Sequence, residues 1–135
     1  ADFRPAHYQG AKIKKTDDGT ESAPTIELVR NPDILAGLVA ERAAAGATSP
    51  VIVGFAAETG DEQGTVLDHA RAKLARKGCD LLVANEVGVD KTFGQDTSTA
   101  YLLRPDNDEV TVVGPTTKRA VAEAVWRAVA DLLAR

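Results

Sequence analysis

The chain contains no methionine, one cysteine, one tryptophan and an aromatic content of only 4%. Each shortage excludes something. A lone thiol, Cys79, cannot form an internal disulfide and fits a reducing cytosol. With so few rings, the core must be built from Val, Leu, Ile and Ala. Basic residues are not in excess, and the net charge of −4 argues against a general nucleic-acid surface. That balance still allows a small anion held by a few local lysines. No signal-peptide pattern and no apolar run near the length of a membrane span is read in these residues, so neither a secretory leader nor a span is expected from them. Neither GxxxxGK[ST] nor GxGxxG occurs, so a phosphate cradle here would rely on lysines and helix ends. Methionine is missing even at position 1, and "ADF" reads as the end of a strand that has lost its beginning, since an open α/β sheet normally continues on that side. The expectation is a processed chain, or a piece of a longer one.

What is present fits one domain. The 135 residues, 44% hydrophobic and 27% charged, are enough for a real core. Apolar patterns alternate along the chain after an irregular stretch, "KIKKTDDG". "TIELVR" (Thr25–Arg30) alternates as a strand does. "NPDILAGLVAERAAAG" predicts a helix with Asn31 as N-cap and Pro32 at its first position, ending near Gly46. The β-branched run Val51–Val53 predicts a strand buried on both faces and stopped at Gly54. A second helix, "TVLDHARAKLARKG", ends at Gly78, and "CDLLVANEV" is a further buried strand. "TAYLLRP" and "EVTVVG" predict a hairpin across "PDNDE". A last helix over Lys118–Arg135 opens on Thr116 or Thr117. This order implies an α/β fold: Rossmann-like, three layers, a mostly parallel sheet with an antiparallel edge hairpin. No internal repeat and no low-complexity tract interrupts it.

In such a sheet, ligands lie beyond the carboxyl ends of the strands. Three segments are placed there: "RNPDI", "GFAAET" and "ANEVG". The first is a helix start, suited to an anion or simply a capped helix. In the second, Gly54 would let a ligand approach the backbone and Phe55 would offer a face to a planar base. The alternative is a core phenylalanine in a strand running into a turn. On the second helix, Val66, Leu67, Ala70 and Leu74 form the apolar stripe; Lys73 lies at its edge and Lys77 within it. Two lysines at i and i+4 repel each other unless an anion intervenes, or unless their stems snorkel to water. Lys12, Lys14 and Lys15 form either a solvated loop or a lid for an anion. His7 and His69 have no partner at ligand spacing, so no zinc site is proposed. Cys79 reads as a small buried residue, not a nucleophile.

Taken in order, "ADF", "AKIKK", "NPDIL", "GFAAET", "ARAKLARKGCDLLVAN" and "FGQD" resemble the C-terminal part of the phosphopantothenate–cysteine ligase family, over essentially the whole chain. That family is often fused behind a flavin-dependent decarboxylase, and FMN belongs to that other half. The resemblance implies CTP-dependent ligation of 4′-phosphopantothenate to cysteine through an acyl-cytidylate, with Mg²⁺, in a cytoplasmic homodimer that binds neither membrane nor nucleic acid. It implies that Asp2 and Lys12 contact the nucleotide and that Lys12 assists the chemistry. Pro32, Asp33, Ile34 and Leu35 would line the cytidine site, Phe55 the nucleotide pocket, and Lys73 and Lys77 the triphosphate. Two departures stand out. The N-terminal half of the family's ligase domain, with its glycine-rich turn and an asparagine active in the chemistry, is absent. Ser98 stands where many relatives carry asparagine after "FGQD", so the Phe93–Asp96 loop is assigned no role.

Overall fold

A computed structural model describes residues 2–12, 25–88 and 94–135. The chain divides into two compact units, Ala1–Asp33 and Ile34–Arg135. In the first, β1 (Phe3–Pro5) pairs antiparallel with β2 (Leu28–Arg30), Arg4 opposite Val29. The ribbon is extended by Ala6 donating to the Glu27 carbonyl and Asn31 to the Asp2 carbonyl, each at 2.8 Å. Thus "TIELVR" forms a strand only over its last three residues. Its hydrogen-bonded partner is the strand end at "DFRP".

The second unit carries a four-stranded sheet in the order β3-β4-β5-β6. Its elements are α1 (Ile34–Ala44), β3 (Val53–Glu58), α2 (Val66–Lys77), β4 (Leu81–Glu86), β5 (Thr97–Arg104), β6 (Asn107–Thr117) and α3 (Lys118–Leu133). β3 and β4 pair in parallel from Val53 opposite Leu81 to Glu58 opposite Glu86, with α2 as the crossover. β4–β5 and β5–β6 are antiparallel, and the β5–β6 hairpin turns through Pro105–Asp106. The fold is therefore α/β with a mixed sheet.

Alternation along β4 divides the core into two layers. Leu82 and Ala84 face α2 with Ala56, Ala70, Leu74 and Cys79, and Leu35 and Val39 of α1 pack on this side. Leu81 and Val83 face the other way with Ala100, Leu102 and Val121, covered by Val125, Val129 and Leu132 of α3. Helices thus lie on both faces, completing the three layers. Cys79 is fully buried, and burial raises its thiol pKa, as expected of a packing residue.

Two boundaries differ from the sequence expectation. Gly54 does not end β3; the strand begins at Val53 and runs on through Phe55 to Glu58. A Cβ at Gly54 would lie 2.7 Å from Leu35 Cδ2 and 3.2 Å from Cys79 Sγ. The missing side chain therefore admits α1, not a ligand. At α1, the helix starts at Ile34 instead of Pro32. Asn31 does not hold its expected cap position: its side-chain oxygen accepts from Arg4 Nη1 at 3.0 Å.

Candidate functional site

The βαβ unit β3–α2–β4 positions the candidate site. Because β3 and β4 are parallel, α2 runs back along them, and its first turn lies at the carboxyl end of β3. Thr65 caps that turn reciprocally. Its hydroxyl accepts from Asp68 N–H at 3.2 Å, while the Asp68 carboxylate accepts from the Thr65 N–H at 2.9 Å. The Thr65 hydroxyl and then its N–H hold the Asp68 carboxyl below its ordinary pKa. The preceding loop is tied by Asp61, which accepts from Gln63 and Gly64 N–H at 2.9 and 3.1 Å and from His69 Nε2 at 2.8 Å. The His69 contact first, then the Gln63 N–H, lower the Asp61 carboxyl pKa.

Cα–Cβ bonds of a helix tilt toward its N-terminus, so long side chains on the inner face of α2 lean toward the carboxyl ends of the strands. Ala70 and Leu74 are buried on this face, and Lys73 and Lys77 are half-buried beside them. The helical-wheel placement of both lysines therefore corresponds to the inner side of α2. Lys73 does not simply snorkel to water. Its ammonium pairs with the carboxylate of Glu58, the last residue of β3, with the side chains 29% and 14% exposed. Glu58 Oε1 is sealed from solvent and lacks an aligned hydrogen bond among the described residues. The contact is thus an ion pair, and Lys73 is what offsets the buried charge.

Phe55 is on the other side of the sheet. It faces α3, is 67% exposed, and borders a groove of about 500 Å³ lined also by Val53, Asn85, Ser98, Lys118 and Trp126. Ser98 is buried there. Among the described residues β3 is an edge strand of its sheet. A ligand touching both Phe55 and Lys73 must therefore cross the edge or the carboxyl end of β3.

The other predicted residues are distributed as follows. Ile34, the first residue of α1, is exposed, whereas the Leu35 side chain is half-buried against the α2-side core. Asp2, Lys12, Pro32 and Asp33 belong to the first unit, all four exposed. Lys14 and Lys15 fall within residues 13–24, outside the described residues, as do residues 89–93 with Phe93. Sequence reasoning missed the Glu58–Lys73 and Asp61–His69 pairs. Nothing local marks the first, since its partners lie on different elements. The second spans a loop whose length hides it.

Among the described residues no group of three or more His, Cys, Asp or Glu side chains could hold a metal ion. They do not by themselves build the Mg²⁺ site that the resemblance implies. No helix of the described residues is long and apolar enough to cross a membrane.

The family model of the DNA/pantothenate metabolism flavoprotein C-terminal domain matches residues 1–133. The chain belongs to this family. The coenzyme A biosynthesis bifunctional protein CoaBC of Mycobacterium tuberculosis is 57% identical over 110 residues, which cover 81% of this chain and 26% of that protein. The CoaBC of Mycolicibacterium smegmatis is 56% identical over 112 residues, with the same coverage. The crystal structure of a CoaBC C-terminal domain aligns with a TM-score of 0.66 at 27% identity, covering 98% of this chain and 50% of that one. A DNA/pantothenate metabolism flavoprotein from Streptococcus pneumoniae, at 20% identity and TM-score 0.64, shares the fold. The motif-based resemblance to the C-terminal part of the bifunctional proteins is thus shown. This member of the family spans about a quarter of the length of the curated relatives it matches.

Proposed function

We propose that this chain supplies the nucleotide site and the Lys12 loop of a CTP-dependent phosphopantothenate–cysteine ligase in coenzyme A biosynthesis. The observation that carries the reading is Lys73 on the inner side of α2, its ammonium paired with Glu58 at the carboxyl end of β3, with Lys77 half-buried one turn further along the helix. On this reading the two lysines hold the triphosphate, Phe55 borders the nucleotide pocket, and Pro32–Leu35 and Asp2 contact the cytidine side. The pantothenate carboxylate attacks the α-phosphate and expels pyrophosphate; the cysteine amine then displaces CMP to form the amide. Fixed ammonium groups lower the cost of bringing an anionic nucleophile to an anionic phosphorus. Lys12 adds charge as pyrophosphate departs, and its loop excludes water from the hydrolysable acyl-cytidylate. Mg²⁺ would arrive with the phosphates, since the described residues build no cage for it. The remaining substrate contacts come from the other half of the ligase domain, in a cytoplasmic homodimer, with FMN confined to the fused decarboxylase.

The test is titration of the full-length protein with CTP and ATP, followed by an assay of CMP release with phosphopantothenate and cysteine. Cysteine-dependent CMP release supports the ligase. Nucleotide binding without turnover in the full-length protein identifies a non-catalytic nucleotide-binding α/β module instead.

A further inference from the structure

Glu58 belongs to the "GFAAET" motif but is given no role by the family resemblance, yet it is the residue that the candidate phosphate lysine touches. It closes β3 at the carboxyl end, directly opposite Glu86 of β4 in the parallel register. Its backbone is fixed there, the carbonyl accepting from Val87 N–H at 2.9 Å. Its side chain is only 14% exposed, with Oε1 closed to solvent and compensated by the Lys73 ammonium. A rigid strand end thus presents a charge to a long, rotatable lysine. The rigid partner sets where the ammonium stands.

We propose that Glu58 is the resident counter-ion of the polyphosphate site: it orients Lys73 in the empty site and is exchanged for phosphate when the nucleotide binds. This rests on the reading of Lys73 as a phosphate-holding residue. The argument is electrostatic. A phosphate that reaches Lys73 also meets the Glu58 carboxylate, so repulsion offsets part of the attraction. That repulsion grows with the charge the ligand brings, so it weakens a triphosphate at least as much as a monophosphate. Low dielectric around the half-buried pair strengthens both terms. Glu58 is therefore a positioning residue that limits how tightly the nucleotide is held. After turnover it would retake Lys73 and favour product release.

The experiment uses the full-length protein and compares CTP and CMP affinities by calorimetry in wild type, Glu58→Gln, Glu58→Asp and Lys73→Ala. Glu58→Gln keeps the shape and removes the charge. It should tighten CTP about tenfold and CMP by no more than that, the scale of one nearby charge. A merely structural role would weaken CTP or leave it unchanged. Glu58→Asp, which draws the carboxylate back from Lys73, should give an intermediate affinity and serves if the Gln variant fails to fold. An unchanged or weakened CTP affinity in whichever variant folds overturns the proposal. Lys73→Ala separates the two ideas. If it leaves CTP affinity intact, the nucleotide reading itself fails; if it weakens CTP while the Glu58 variants keep the wild-type affinity, only the role of Glu58 fails.

Discussion

Phe55 and Lys73 lie on opposite faces of one sheet. Phe55 borders the groove under α3, and Lys73 pairs with the end of β3 on the α2 side. A nucleotide held by both must wrap β3, with its base and its phosphates in environments that share no side chain. Their contributions to affinity should therefore be independent. Phe55→Ala and Lys73→Ala, measured singly and together by calorimetry with CTP, should show a coupling energy below about 0.5 kcal/mol. Coupling above about 1 kcal/mol would mean that both side chains meet the same part of the ligand.

The two α2 lysines should dominate phosphate binding. Lys73→Ala with Lys77→Ala is expected to weaken CTP by about 3 kcal/mol, roughly a hundredfold, the scale of charge-assisted contacts. Lys73→Ala alone should also lower stability by about 1–2 kcal/mol, since Glu58 Oε1 loses the charge that offsets its burial. Denaturant unfolding of the ligand-free variant measures that second effect.

Away from the site, Arg42 and Asp80 tie α1 to the start of β4. Arg42 Nη1 and Nη2 donate to the two Asp80 oxygens at 2.5 and 3.0 Å, and Asp80 also accepts from Ile52 N–H at 2.7 Å. Burial pushes the Asp80 carboxyl up, but the Arg42 hydrogen bonds, the Ile52 N–H and the guanidinium charge outweigh it, and the pKa is lowered. A depressed folded-state pKa gives stability that is complete above the unfolded value of about 4 and is lost as pH falls through the folded value. Wild type should therefore lose thermal midpoint below about pH 4 more steeply than Asp80→Asn. At pH 7 that variant should be about 2 kcal/mol less stable. Parallel acid titration curves for the two proteins would remove Asp80 from the account.

Glycine replacement should separate two kinds of crowding. At Gly54 a Cβ meets the tip of Leu35, which can rotate, so Gly54→Ala should cost about 1–2 kcal/mol. At Gly114 a Cβ would stand 2.5 Å from the Ser98 carbonyl oxygen, with φ at +123°. Backbone cannot yield as a side chain does, so Gly114→Ala should cost more than Gly54→Ala. Equal urea midpoints for the two variants would contradict this ranking.

Much of the fold was legible because its signals are local. The Gly78 stop, the Thr117 cap, the hairpin and the inner stripe of α2 each lie within one helix or one strand pair. The errors come from residues whose reason is tertiary. Gly54 looks like a strand end in sequence, and only the arrival of Leu35 shows that it is a place of close packing. Asn31 looks like a cap until Arg4, far away in sequence, takes its side-chain oxygen. The same limit governs the candidate site. Periodicity could place Lys73 and Lys77 on the inner face of α2, but it could not supply Glu58, whose contact depends on how α2 lies over β3. Nor could alternation alone tell which face of the sheet Phe55 would take, because β3 had first to be recognised as continuing past Gly54.

The most direct measurement is a crystal structure of the full-length protein with CTP bound. The account predicts the nucleotide lying across β3, with Phe55 beside its cytidine end, phosphate oxygens within hydrogen-bond distance of Lys73 and Lys77, and the Lys73–Glu58 contact exchanged for one to phosphate. Triphosphate density elsewhere, with Lys73 still paired to Glu58 in the occupied protein, would contradict it.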